Sequence, residues 1–312
     1  MIKDDFLIKT AQGYYCKYGD FFLDPQLPVK KAVISHAHGD HAKPESQLVF
    51  CTSFTQQVMQ LRYKKKAATT FDTKQYGAHF YLGDVKLSFI PAGHILGSAM
   101  VKMEYLDITY LFTGDFKLQK DNSCEAFAFC KADVLITETT FAKPENRHPN
   151  PEKEIEKLNN ITTNILLGAY GLGKAQRLTK MINEICPQKT VHLHYSIFPV
   201  HQLYLNNGVD LGPFIHYDRK KFKQNPRNQV YIVPPLTFNS YHKAMGVVKL
   251  FASGWKNLQC GNDESLYISD HADWADILQT IKEVAPQQVW TIHGDGQQLK
   301  NYFKDLLTVK IL

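Results

Sequence analysis

The chain has 312 residues, 44% hydrophobic, 12% aromatic and 21% charged, which excludes disorder, collagen-like repeats and low-complexity architectures and supplies a core for one large domain or two joined ones. Its formal charge of +6 favours a polyanionic partner only weakly, because ordinary enzymes often share it. No apolar run approaches the roughly eighteen residues that span a bilayer, and the opening Met1-Ile2-Lys3-Asp4-Asp5 puts acids where a secretory signal needs bases, so a cytoplasmic protein is expected. Strand signals at 6–10, 14–18, 20–23, 29–35, 85–90, 108–112 and 134–137 make the first 145 residues β-rich. Three prolines among polar residues at 143–151 mark a junction. Beyond it a helix at 151–160, a strand at 164–167, a helix at 174–186 closed by Pro187 and a strand at 229–233 alternate, as in a small α/β unit with a parallel sheet. The earlier style returns with a strand at 266–269, a helix at 274–284, a strand at 288–292 and a helix at 297–307. Trp274, Ile277, Leu278, Ile281 and Val284 recur at helical spacing behind Asp273, a good N-cap. The expected organisation is one domain, 1–145 and 258–312, interrupted by another at 146–257.

Six scattered cysteines with no CxxC pair read as reduced thiols in a protein large enough to need no staples. The histidines carry more information. Ser35-His36-Ala37-His38-Gly39-Asp40-His41 follows the strand at 29–35 and matches HxHxDH. Imidazole and carboxylate are good ligands for zinc and similar divalent ions. Residues two apart on a tight loop point the same way, so His36 and His38 can grip one ion while Asp40 and His41 face a second. The bland alternative is an exposed polar loop. Against it, His94, Asp115, Glu138, His271 and His293 each lie at the end of an expected strand, where β-rich scaffolds place their sites. Each alone reads more naturally as a turn residue or a core histidine; together they read as a site.

These residues carry a resemblance that spans nearly the whole chain. Asp24 in Phe22-Leu23-Asp24-Pro25, the His36–His41 loop, His94 in Ala92-Gly93-His94 and Asp115 in Thr113-Gly114-Asp115 resemble the motifs of the metallo-β-lactamase superfamily. Glu138 in Glu138-Thr139-Thr140-Phe141, the run Gly173-Lys174-Ala175-Gln176-Arg177, His271 in Ser269-Asp270-His271-Ala272-Asp273 and His293-Gly294 resemble its β-CASP nuclease group. The length, with Ala252-Ser253-Gly254-Trp255 and Asp273-Trp274, is most similar to the bacterial ligase-associated DNA exonucleases. The resemblance departs at His192-Leu193-His194-Tyr195, where an HG-like turn is expected, and in a short cap.

The resemblance implies an α/β fold, an αββα metallo-β-lactamase sandwich with an inserted β-CASP-like cap. It implies two divalent ions, zinc first and manganese or iron as alternatives: His36, His38 and His94 on one, Asp40, His41 and His293 on the other, Asp115 bridging. Asp24 would orient a ligand imidazole or the bridging water, its alternative being a turn aspartate before Pro25. The ions would activate a water against phosphorus, and His271, hydrogen-bonded by Glu138, would protonate the departing 3′ oxygen. Asp24, Asp40, Glu138 and His271 are thus the residues expected to serve catalysis. The Gly168 to Lys174 stretch fits a phosphate loop, but Ala175 stands where a serine or threonine would hold magnesium, so ATP hydrolysis is not expected. Lys174 and Arg177 could still meet a substrate phosphate at a helix N-terminus, or this is a plain strand-to-helix connection. Lys64-Lys65-Lys66, and Arg219-Lys220-Lys221 beside Tyr217 and Phe222, could steer a nucleic acid but are more often solvated surface. The expected activity is DNA hydrolysis from an end, in repair with an ATP-dependent DNA ligase and a helicase. RNA processing is the near alternative; hydrolysis of a small thioester or lactam, and a non-catalytic scaffold, are further ones.

Overall fold

Short segments rich in aromatic and β-branched residues, each with one buried face, build the sheets. The computed structural model describes residues 1–225, 227–241 and 243–312. It divides into a first unit, Met1–Lys120, Cys124–Arg147 and His271–Leu312, and a second, Asp121–Ser123 and His148–Asp270. The boundaries expected at 146 and 258 compare with 148 and 271 here, because Leu266 and Ile268 pack into the second unit's core.

The first unit opens with β1 (Ile8–Thr10), β2 (Gly13–Cys16), β3 (Phe21–Leu23), β4 (Lys31–Val33), β5 (Ser46–Cys51) and β6 (Ala68–Thr73), which lie side by side in that order. The pairs β1–β2 and β2–β3 are antiparallel, while β3 to β6 run parallel. A parallel pair needs a crossover, and α1 (Ser53–Tyr63) makes the one from β5 to β6. The strand signals say nothing of β5, α1 or β6. In α1 only Phe54, Thr55, Val58 and Met59 are buried, too narrow an apolar stripe to stand out.

A second sheet begins with the antiparallel run β7 (Phe80–Leu82), β8 (Val85–Pro91), β9 (Ala99–Tyr105) and β10 (Ile108–Phe112), followed by β11 (Val134–Glu138) parallel to β10. The two sheets meet face to face, Phe21, Leu23, Val33 and Phe50 of one sharing a core with Leu87, Val101, Phe112 and Ile136 of the other.

The second unit alternates helix and strand: α2 (Pro151–Glu156), β12 (Asn164–Gly168), α3 (Lys174–Ile185), β13 (Thr190–Leu193), α4 (Phe198–Asn206), β14 (Ile215–His216), α5 (Arg219–Gln224), β15 (Gln229–Val233), α6 (Pro235–Ser240) and β16 (Val247–Phe251). Its strands are all parallel in the order β14-β13-β15-β12-β16. Ala175, Leu178 and Ile182 of α3 cover one face with Ile165, Leu167 and Ile232. Phe222 and Phe238, from α5 and α6, meet Leu166, Tyr231 and Val233 on the other. The strand expected at 266–269 is reduced to a single bridge between Ala252 and Leu266.

Chain returning to the first unit forms α7 (Trp274–Val284), capped by Asp273, then β17 (Gln288–Ile292), α8 (Gln297–Tyr302) and β18 (Thr308–Ile311). These complete the second sheet as β18-β17-β11-β10-β9-β8-β7. Trp274, Ile277, Ile281 and Val284 of α7 pack with Leu111, Leu135 and Val289 on its outer face, as Met59 of α1 packs with Val29, Ala32 and Val49 on the other sheet. Helix α8 stops at Tyr302 rather than 307, where Asp305 takes a left-handed φ of 67°. The protein is thus α/β, and among the described residues no helix is long and apolar enough to cross a membrane.

Candidate metal centre

Strand direction brings the polar residues to one edge of the first unit. Asp24 follows β3, the His36–His41 loop follows β4, His94 follows β8, Asp115 follows β10, Glu138 ends β11 and His293 follows β17. All six strands point the same way within their sheets, so the six carboxyl ends deliver their loops together. His271 arrives differently. It ends no strand but sits just before α7, held in place where Ala272 N–H donates to Phe116 O at 2.6 Å.

Asp115 is the hub. Its buried Oδ2 lies 3.6 Å from His36 Nε2, 3.4 Å from His41 Nε2, 3.8 Å from His94 Nε2 and 3.9 Å from His271 Nδ1. His38 Nδ1 completes the group, 3.1 Å from His36 Nε2 and 2.9 Å from His94 Nε2. Asp40 approaches His41 Nε2 at 3.8 Å with its carboxylate 74% exposed, and the His293 ring lies 4.9 Å from that of His41. Glu138, fully buried, takes His271 Nδ1 at 2.9 Å, and its other oxygen accepts Phe116 N–H at 2.9 Å.

Hydrogen bonds settle which imidazole nitrogens face inward. Ser35 Oγ donates to Asp24 Oδ2 at 2.5 Å and so must accept from His36 Nδ1 at 3.0 Å, which leaves His36 Nε2 bare towards Asp115. Asp24 also takes Ser35 N–H at 2.7 Å and His41 Nδ1 at 2.8 Å, turning His41 Nε2 inward in the same way. Asp24 adopts φ 41° and His293 φ 48°, left-handed backbone that costs energy for a residue with a Cβ and is common at functional sites. Gly294 follows at φ 141°, where a Cβ would meet Thr139 O at 2.6 Å.

Burial, reinforced by the positive charge that His41 and neighbouring imidazoles would carry, holds His36 well below the ordinary imidazole pKa. Burial does the same to His94, with His38 and His271 adding to it. For His41 burial also opposes charge, but Asp115 and Asp24 outweigh it and hold the ring well above its ordinary value. Burial opposes charge on Asp115 too, and His41 and His271 outweigh it, keeping the carboxylate ionised.

The donor set fits a divalent cation. Three imidazole nitrogens crowd together, and the one proton that His38 Nδ1 can carry serves only one of its two neighbours. Nitrogens bound tetrahedrally to zinc at 2.0–2.1 Å lie about 3.3 Å apart, close to the spacing here. His293 Nε2 is buried with no hydrogen-bond partner, the condition of a ligand whose acceptor is a metal. His36, His38, His94 and Asp115 form one such group, Asp24, His36 and His41 another, and Asp115, Glu138 and His271 a third.

Known proteins bear on this arrangement. The chain is 31% identical over 312 aligned positions, 92% of its length, to a "Probable DNA ligase" of Opitutus terrae, of which it covers 29%. It is 30% identical over 135 positions to "Endoribonuclease ysh-1" of Neurospora crassa, covering 40% of this chain and 15% of that protein. It is 26% identical over 276 positions to "Transcription termination factor FttA" of Methanothermobacter thermautotrophicus, covering 75% and 42%. The chain belongs to the β-CASP group of the metallo-β-lactamase superfamily. It spans less than half the length of each of these relatives, and no protein-family model matches it. A crystal structure of a protein of unknown function from Enterococcus faecalis V583 superposes with a TM-score of 0.62 at 15% identity, over 90% of this chain and 79% of that one. This β-CASP group is metal-dependent.

Lys174 and Arg177, read either as contacts for a substrate phosphate or as part of a plain strand-to-helix connection, have charged and carbonyl partners of their own. Lys174 and Arg177 are buried in the second unit. Lys174 Nζ donates to Ile268 O and lies 3.3 Å from Asp270 Oδ2. Arg177 donates to Ser269 O at 2.6 Å and to Asp270 Oδ1 at 3.1 Å, with Asp121 Oδ2 3.6 Å from its Nε. Both charges face internal partners, and a phosphate that drew either away would weaken the buried pairing of Asp270.

Other residues, missed in the sequence, brace the ligand loops. Lys117 Nζ, buried, donates to Gly93 O and His94 O at 2.6 Å each, where Gly93 has φ 70° and no room for a Cβ beside Lys117 O. Arg62 donates to Ala37 O at 2.8 Å and Gln26 to Asp40 O at 2.7 Å. Only the place of Lys117, two residues after Asp115, could have flagged it.

Proposed function

We propose that the chain is a metal-dependent nuclease hydrolysing the phosphodiester bonds of DNA, an exonuclease that works in repair with a DNA ligase in the cytoplasm. The observation that carries this reading is the neighbourhood of Asp115: one carboxylate oxygen within 3.4 to 3.9 Å of His36, His41, His94 and His271. Three of those rings are buried, while the His271 side chain is 27% exposed, the difference expected between ligands and a group that must reach substrate. We take the first unit to be the metallo-β-lactamase sandwich and the second, which holds His148–Asp270, to be the β-CASP-like cap.

His36, His38 and His94 would hold one divalent ion and Asp40, His41 and His293 a second, with Asp115 between them. Zinc is the first choice for these donors, and manganese or iron the alternatives. When bound, the ions supply Lewis acidity towards the phosphate and a water that is acidic near neutral pH. The chain's own residues do the rest. Asp24 and Ser35 fix the tautomers of His41 and His36. Glu138 accepts the Nδ1 proton of His271, which orients the ring and leaves Nε2 to deliver a proton to the 3′ oxygen as its bond to phosphorus breaks. Lys117, Arg62 and Gln26 hold the loop carbonyls, so the ligands are positioned before substrate arrives.

DNA is favoured over RNA because the ligase-named relative matches over 92% of the chain. The relatives named as an endoribonuclease and a transcription termination factor favour RNA as the second reading, since contacts to a 2′ hydroxyl decide between them. A helicase partner rests on the family resemblance alone. Digestion of matched end-labelled DNA and RNA strands with zinc, manganese and iron tests all of this. DNA should shorten progressively from one end; faster loss of RNA would overturn the preference, and no cleavage with any metal would overturn the nuclease reading.

A further inference from the structure

The basic and aromatic run at 217–223, which the metal centre does not use, lines a cavity of about 720 Å³ in the second unit. Helices α5 and α6 have six residues each, too short to cover their face of the sheet, so Leu166 of β12 and Tyr231 of β15 line the opening between them. A volume of this size is ordinary for a small-molecule site.

Its walls combine two chemistries. The Tyr217 ring stacks on Tyr231 with centroids 3.7 Å apart and planes 12° from parallel, and Tyr241 meets Tyr231 edge-on at 6.4 Å. Tyr217 is half-buried and Tyr241 exposed, so both rings reach the cavity. Arg219, Lys223 and Lys243 stand around them, exposed, and among the described residues no acid lines the cavity. Among the described residues none of these three cations is in an ion pair. Asp218, the acid nearest in sequence, is engaged as the cap of α5, accepting Lys220 N–H at 2.8 Å and Lys221 N–H at 3.2 Å. A purely apolar ligand would leave three cations facing it uncompensated, and an acidic peptide would leave the tyrosine faces unused. A flat base joined to a phosphate uses both.

We propose that this cavity is a nucleotide-binding site, taking a base against Tyr217 and Tyr241 and its phosphate on Arg219, Lys223 and Lys243. None of its residues belongs to the histidine cluster, and occupancy requires neither metal nor turnover, so the inference stands or falls separately from the nuclease reading. The same chemistry is presented by one nucleotide within a single strand and by a free mononucleotide.

The test is fluorescence anisotropy of a labelled twelve-residue oligothymidylate with the full chain in EDTA, where hydrolysis is stopped, with thymidine monophosphate as competitor. Tyr217→Ala should weaken binding about tenfold or more, the loss of one stacked base, and Tyr217→Phe should restore it. Lys223→Ala should flatten the dependence of log affinity on log salt by about 0.7, one phosphate of a single strand. Because Tyr217 also packs on Tyr231, the exposed Lys243→Glu serves as a variant with little risk to folding, and it should weaken binding to a similar extent. Loss of oligonucleotide binding in the variants, with the monophosphate a poor competitor, identifies a strand segment as the occupant. Displacement by the monophosphate that the same variants abolish identifies the free nucleotide. Equal affinity of wild type, Tyr217→Ala and Lys243→Glu for both probes, or no binding of either probe by wild type, overturns the proposal.

Discussion

Two sets of buried ionisable residues, one in each unit, differ in how they are satisfied. In the second unit Lys174 and Arg177 face Asp270, Asp121 and the carbonyls of Ile268 and Ser269; every charge meets its opposite. In the first unit His36, His38 and His94 turn nitrogens on one another at 2.9 and 3.1 Å, and burial keeps His36 and His94 uncharged. A buried ionic group closed on itself holds a fold together. A buried group of lone pairs aimed at one point is incomplete until a cation joins it.

The sharpest way to break this contrast is His271→Ala. If His271 delivers a proton and is no essential ligand, turnover should fall about 10²- to 10⁴-fold while metal content, read by plasma mass spectrometry, stays as in wild type. Metal lost along with turnover would make Asp115, Glu138 and His271 a ligand group instead.

Arg177→Ala probes the other side. Removing the guanidinium takes a buried cation from both Asp270 and Asp121, at a cost of about 3–5 kcal/mol, visible as an earlier urea transition. A raised KM with unchanged stability would instead return Arg177 to the phosphate.

Smaller again is the effect of Asp24→Asn. It removes the charge that orients His41 and should weaken metal binding about 10- to 100-fold, measured by competition with a chelator. An unchanged affinity would reduce Asp24 to a turn residue.

The weakest effect is the pH dependence of the metal-stripped protein. Below the ordinary histidine value of 6.5 the unfolded chain takes up protons that folded His36 and His94 refuse, so stability falls as pH falls. Above it the unfolded chain gives up a proton that folded His41 keeps, so stability falls as pH rises. The melting temperature in EDTA should therefore peak near pH 6.5. The acid limb should be the steeper, because burial also pushes His201 of the second unit down to about 3. A monotonic profile would show that these histidines do not control it.

Legibility in the sequence followed the locality of the signal. Strands β15 and β17 and helix α7 have the bounds read from their patterns, because each is a whole apolar stripe between clear stops. Helix α1 and strands β5, β6, β9 and β13 were not legible: α1 buries few residues, and the pairing of the strands is settled by distant neighbours. The HxHxDH loop was legible because its residues lie within six positions, too dense in ligands for chance. The surroundings of Lys174 and Arg177 were not legible, for the opposite reason. A glycine turn before a helix suggests a phosphate, but the acids that face them, Asp121 and Asp270, come from more than fifty residues away.

Residue order by itself thus determined which side chains can bind metal, which elements carry enough apolar periodicity to form, and that the chain alternates between a β-rich and an α/β style. Only the tertiary structure decided which nitrogens face inward, that Asp115 rather than the loop itself is the hub, and that two cations are spent inside the second unit. The physical reason is range. Propensity and spacing act over one or two turns of chain, whereas ligand geometry and the neutralisation of buried charge depend on atoms brought together by the whole fold.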